Sequence, residues 1–185
     1  TLFSNMGWKT TYDVEFKGLK EGLHEFEYEI EDKFFEHFDQ DMVSVGNLDV
    51  KVDLEKRNTF LKLYFNIKAW VELTCDRCLD DYRQKIKQKS ELLVKFDENN
   101  YEDDDEVIWL LPEEHKINLA QLIYEYIVLG IPMKHVHPDK KNGESGCNPE
   151  MLERIDNQSP QKEEENEKKE IDPRWEALKK LKNNN

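Results

Sequence analysis

The chain has 185 residues and a formal charge of −14, from 41 Asp and Glu against 27 Lys and Arg. Phosphate repels such a body, so nucleic-acid binding by bulk attraction is excluded; any RNA contact must be a local basic patch or run through a protein partner. Charged residues make up 37%, above the ordinary quarter, which points to solvated segments around one domain-sized core.

Residues 1–9, TLFSNMGWK, lack the basic start and long apolar run of a signal peptide and are set aside as leader residues. From there the first half alternates with period two. Tyr12, Val14 and Phe16 share one parity in TYDVEFKG, and Phe26, Tyr28 and Ile30 share one in LHEFEYEIED. Glu25, Glu27, Glu29 and Glu31 take the opposite parity. The pattern repeats in NLDVKVDLEK, where Leu48, Val50, Val52 and Leu54 alternate with charge, and in FLKLYFNIKAWV, from Leu61 to Val71. Half-buried strands joined by turn residues predict an antiparallel meander. Between them DKFFEHFD has room for a single helical turn. A further strand is expected over YRQKIKQKSELLVKF, residues 82–96, followed by an acidic solvated loop, DENNYEDDDE, and a short strand within 107–117.

LAQLIYEYIVLG, residues 119–130, places Leu119, Leu122, Ile123, Tyr126 and Ile127 at helical spacing. Asn118 can cap it, Gly130 and Pro132 end it, and its apolar circumference predicts burial against the sheet. After Pro132 an irregular loop leads to a short helix near 149–156. The expected organisation is one α+β domain over 10–156, a charged linker over 157–171 with no means of forming a core, and a helical clip over 172–182. Asp172 and Pro173 suit the start of that clip, and Trp175, Leu178 and Leu181 form its apolar stripe for a partner. The sheet is expected to be strongly curved, with partial closure into a barrel as one form.

Three cysteines exclude a complete disulfide framework, and no segment approaches the roughly 20 apolar residues that span a bilayer. The expectation is a cytoplasmic protein with reduced thiols and no membrane partner. Cys75 and Cys78, in CDRC, have the spacing for one side of a four-ligand zinc site; Cys147 with His137 or His135 can supply the other. The competing reading is three ordinary thiols. Redox chemistry fits less well, because the pair follows a strand rather than opening a helix, and Asp76, Asp80 and Asp81 surround it.

Arg83, Lys85, Lys87 and Lys89 share one parity, so on a strand they project from one face at roughly 6.6–6.8 Å intervals, a geometry that suits a single-stranded RNA backbone. Arg77 at the cysteine turn extends the row. The competing reading pairs this row with the Glu25–Glu31 ladder, if the two strands are neighbours. No Gly-rich phosphate loop, nucleophile elbow or metalloprotease helix occurs. The run EDDDE lacks the fixed separation and unlike environments that catalytic carboxylates need. A non-enzyme with no small-molecule substrate is the expectation.

CDRCL after a strand, LAQLIYEYIVLGIP before a proline loop with a later cysteine, and terminal DPRWEALKKL occur in that order. Together they resemble the YceD family, the large ribosomal RNA subunit accumulation proteins, and FKGLKEGLHEFEYEIEDKFF looks like its Bacteroidetes form. The resemblance implies a non-enzymatic role in accumulating large-subunit rRNA, with precursor rRNA or ribosomal proteins as partners. An alternative is an acidic interaction module or holdase for a basic ribosomal protein, without RNA contact. Many relatives carry a cysteine-rich segment after the proline that completes a four-cysteine site with the C-x-x-C. Here KHVHPDKKNGESGC stands in its place. The resemblance therefore implies either a structural zinc on Cys75, Cys78, His137 and Cys147 or a degenerate, metal-free version of that site.

Overall fold

A computed structural model describes residues 7–38, 42–97 and 107–158. The chain divides into two compact units, Thr1–Cys147 and Asn148–Asn185. The first is α+β, as the alternation predicts. Its strands are β1 (Asp13–Val14), β2 (Gly22–Ile30), β3 (Gly46–Lys56), β4 (Phe60–Thr74), β5 (Asp81–Phe96), β6 (Val107–Leu110) and β7 (Ile117–Asn118), and its helix is α1 (Ala120–Leu129).

β2 to β6 form one five-stranded sheet in the order β2-β3-β4-β5-β6. The first three pairings are antiparallel and in unbroken register, with Phe26 opposite Val52, Val52 opposite Phe65, and Leu63 opposite Leu92. The last differs from a simple meander: β6 runs parallel to β5, Leu93 to Phe96 facing Val107 to Leu110. The sheet has two ends, β2 and β6, and does not close into a barrel. The expected strand over residues 11–18 shrinks to Asp13–Val14, paired with Ile117–Asn118. Among the described residues this segment has no strand partner beyond Val14; Lys17 N–H donates to the His115 carbonyl, and the Lys56 ammonium donates to the carbonyls of Phe16 and Leu19 (2.8 and 2.7 Å).

The alternation sorts side chains as the pleat requires. Leu48, Val50, Val52, Leu54, Leu61, Leu63, Ile67 and Val94 are essentially inaccessible, and α1 buries Ala120, Ile123, Tyr124 and Ile127. Asn118 caps α1 as anticipated, its Oδ1 accepting from Ala120 N–H at 3.1 Å, and Gly130 N–H ends it by donating to Tyr126 and Ile127 carbonyls. Gly130 lies so close to β5 that a Cβ there would sit 2.6 Å from the Ile86 side chain. DKFFEH does form one short 3-10 helix, Asp32–His37, which buries Phe34 and Phe35. Trp8, set aside above with the leader, stacks on His37 at 4.1 Å and meets Phe34 edge-on.

The described part of the second unit is α2 (Pro149–Gln158), led by Asn148, whose Oδ1 accepts from Glu150 N–H; none of its residues is buried. No described helix is long and apolar enough to cross a membrane. The rest of the linker expected over 157–171, the clip with Trp175, Leu178 and Leu181, and the EDDDE run lie outside the described residues.

Candidate functional site

The two longest strands, β4 and β5, form one hairpin, and CDRCLD is its turn. Thr74 Oγ1 donates to Asp81 Oδ1 across the last strand pair, Cys75 N–H donates to the Asp80 carbonyl, and Leu79 N–H returns to the Cys75 carbonyl. That closure throws Leu79 into the left-handed region, φ 63, while leaving its side chain 67% exposed. A leucine there carries the steric cost of αL without compensating burial. Leu79→Gly is therefore expected to stabilise the protein by about 0.5–1 kcal/mol, read as a higher denaturant midpoint. A lower midpoint would mean that the leucine side chain packs in a way its exposure does not suggest.

The proline loop after α1 docks on this turn. His135 N–H donates to Asp76 Oδ2 at 2.8 Å, and Asp76 N–H donates to the His135 carbonyl at 2.6 Å. A tight turn at Lys140–Gly143, with Gly143 at φ 83, sends the chain back. Gly146 then passes against the Pro138 carbonyl at a distance that leaves no room for a Cβ. The next residue is Cys147, so this contact is what brings the third thiol inward.

Cys75 Sγ lies 3.7 Å from Cys147 Sγ, and Cys78 Sγ lies 3.4 Å from His137 Nδ1. The four candidate ligand atoms all fall within 4.8 Å of one another, with the three cysteines buried and His137 half-buried. A tetrahedral zinc, with bonds of about 2.3 Å to sulfur and 2.0–2.1 Å to nitrogen, needs edges of about 3.8 Å between sulfurs and 3.5 Å between sulfur and nitrogen. The donor set and both close spacings fit that ion. His135 contributes backbone instead, and Tyr82 lies with its ring 5.0 Å from the His137 ring.

Burial alone raises the Cys75 thiol, but N–H groups of Cys78, Arg77 and His137, with the His137 imidazole, outweigh it and bring the group down to about 5. Cys147 is held above the ordinary thiol range, first by burial and then by the neighbouring Cys75 and Cys78 sulfurs. The aspartates around the C-x-x-C therefore do not keep Cys75 protonated. Asp76 is engaged with His135 and Asp81 with Thr74, while the turn's own N–H groups point at the sulfur.

The basic row is the second candidate. Arg83, Lys85, Lys87 and Lys89 are all exposed on β5, and Arg77 is exposed in the turn that precedes it. The acidic ladder of β2 is not their neighbour: β3 and β4 intervene, placing it roughly 14 Å away. Glu27 is salt-bridged to Lys51 of β3, while Glu25 and Glu29 face Asp53 and Asp49. Among the described residues none of the five cations forms an ion pair. The outer face of the sheet is thus divided, acidic over β2 and β3 and basic over β4 and β5.

Residues 63–182 match the family model for the large ribosomal RNA subunit accumulation protein YceD. No curated protein and no solved structure matches the chain.

Proposed function

The chain belongs to the large ribosomal RNA subunit accumulation protein family, YceD, and on that premise we propose that it is a non-catalytic cytoplasmic assembly factor whose basic β5 face contacts precursor large-subunit rRNA. The observation that carries the RNA contact is the row Arg83, Lys85, Lys87 and Lys89, exposed and without ion pairs among the described residues of an otherwise acidic chain. A local row of this kind overcomes the repulsion that a charge of −14 imposes at long range.

In the same reading Cys75, Cys78, His137 and Cys147 hold a structural zinc. When bound, the ion supplies a four-way crosslink between the β4–β5 turn and the 133–147 loop. The residues do the positioning: Asp76 and His135 register the two segments, and Gly146 lets Cys147 approach. Arg77, on the same turn, extends the row of cations. Trp175, Leu178 and Leu181 serve as a partner contact.

The acidic half of the sheet supports a second reading, an interaction module for a basic ribosomal protein. Salt-sensitive binding to free rRNA fragments favours the first reading, and binding to the basic protein alone favours the second. The test of association is sedimentation of a cell lysate on a sucrose gradient, following this protein by immunoblot. It is expected with precursor large subunits at low salt and released as salt rises. A protein that stays at the top at every salt would end the stable-association model.

A further inference from the structure

Apolar rings on the solvent face of a strand are unusual enough to ask what they meet. The outward positions of β4 read Lys62, Tyr64, Asn66, Lys68, Trp70 and Glu72. Trp70 is half-buried on the side away from the core, and its register partner on β5 is Lys85. Its diagonal neighbours follow from the same register: Arg83 lies opposite Glu72, and Lys87 opposite Lys68. The Arg83 guanidinium sits 4.3 Å from the indole centroid. Beside the ring is a shallow hollow of about 220 Å³, lined by Asn47, Asp49, Lys68, Trp70, Lys85 and Lys87. Trp70, the larger of the two rings among the outward positions of β4, is therefore set among cations and beside a hollow with two short polar side chains.

We propose that Trp70, framed by Lys68, Arg83, Lys85 and Lys87, is a base-stacking platform, and that this face binds unpaired segments of RNA rather than duplex. The inference rests on the rRNA-contact reading above and names the form of RNA recognised. A single strand can lay its phosphates along the β5 cations and turn a base toward β4, where the indole offers its π-face and Arg83 a stacked cation. Asn47 and Asp49 supply acceptors and an amide within reach of a base edge. A duplex satisfies the cations equally well, but its bases are already stacked inside, so Trp70 has nothing to receive.

Anisotropy titrations test this with two labelled probes, a short unstructured oligoribonucleotide and the duplex of the same sequence. The wild-type chain is expected to prefer the single strand. Trp70→Ala should weaken single-strand binding roughly 5- to 100-fold while leaving duplex binding and the salt dependence unchanged. Trp70→Phe should keep most of the affinity. In the unaltered protein, ultraviolet crosslinking to the bound single strand should mark the peptide containing Trp70, a readout that does not depend on any variant folding. Equal binding by Trp70→Ala, equal or tighter binding of the duplex, or crosslinks confined to other peptides would each overturn the stacking platform while leaving the rRNA contact standing. No binding of either probe at low salt would remove the rRNA contact itself, and the platform with it.

Discussion

Protein purified without a chelating tag should carry close to one zinc ion per chain, and Cys75→Ser should abolish it. Cys75 is the residue to change because its sulfur is 3.7 Å from that of Cys147 and already collects the N–H groups of the turn. A ligand that binds only the folded state at a thousand times its dissociation constant stabilises by about 4 kcal/mol. For a domain of this size that is roughly 8–16 °C in thermal midpoint. The domain should nevertheless stay folded without metal, because the core between the sheet and α1 is built from side chains that do not touch the ion. His137→Ala should behave like Cys75→Ser, and His135→Ala should keep its zinc, since His135 docks through its backbone. Wild-type protein without near-stoichiometric metal, and with the same midpoint as Cys75→Ser, would leave three ordinary thiols as the answer.

Strands β2 to β5 are legible in the sequence because each has one buried face, and burial on one face of a pleat writes itself as period two. β6 falls within the short strand expected over 107–117, but its four half-buried residues, Val107 to Leu110, carry no alternation, and nothing local says that its pairing with β5 is parallel. Sheet order is hidden for a different reason. Alternation looks the same whichever strand lies alongside, so the sequence alone leaves the Glu25–Glu31 ladder free to neutralise the β5 cations. Only the order β2-β3-β4-β5 separates them.

At the metal centre the C-x-x-C spacing announces a turn, but His135 and His137 are equivalent on spacing alone. What distinguishes them is that Asp76 engages the backbone of His135, so that His137 brings Nδ1 to Cys78. Two signals are present in the chain and easily passed over. Gly146 stands immediately before Cys147, where a close backbone approach is needed. Trp70 shares the parity of Lys62, Asn66 and Lys68, which puts a large ring on the wet side of a strand.

Replacing Lys85, Lys87 and Lys89 together with Glu should separate folding from function, because the two respond in opposite directions. For folding, the native arrangement is not the best one. Lys87 lies opposite Lys68 on the same face, and like charges directly opposite each other on a sheet cost about 0.2–1 kcal/mol. Glu at 87 turns that repulsion into a cross-strand ion pair, and the other two positions are exposed with no ion pair to lose among the described residues. Stability should therefore hold or rise by a few tenths of a kcal/mol. Glu also preserves the one structural service a lysine row gives. Among the described residues β6 covers β5 only at Leu93–Phe96, and charges along the open stretch Asp81–Leu92 discourage pairing with another chain. For RNA contact the same change removes three cations and adds three repulsive charges. If each lysine neutralises one phosphate of a single strand, the salt slope should shrink by about 2, and co-sedimentation with precursor large subunits should be lost even at low salt. The proposed contact with a partner of opposite charge accounts for a repulsive Lys68–Lys87 pair that one substitution would relieve. Unchanged co-sedimentation of the triple variant would break that argument and return the stripe to a role in the sheet alone; a stability loss of several kcal/mol would show that the cations are bound into the fold.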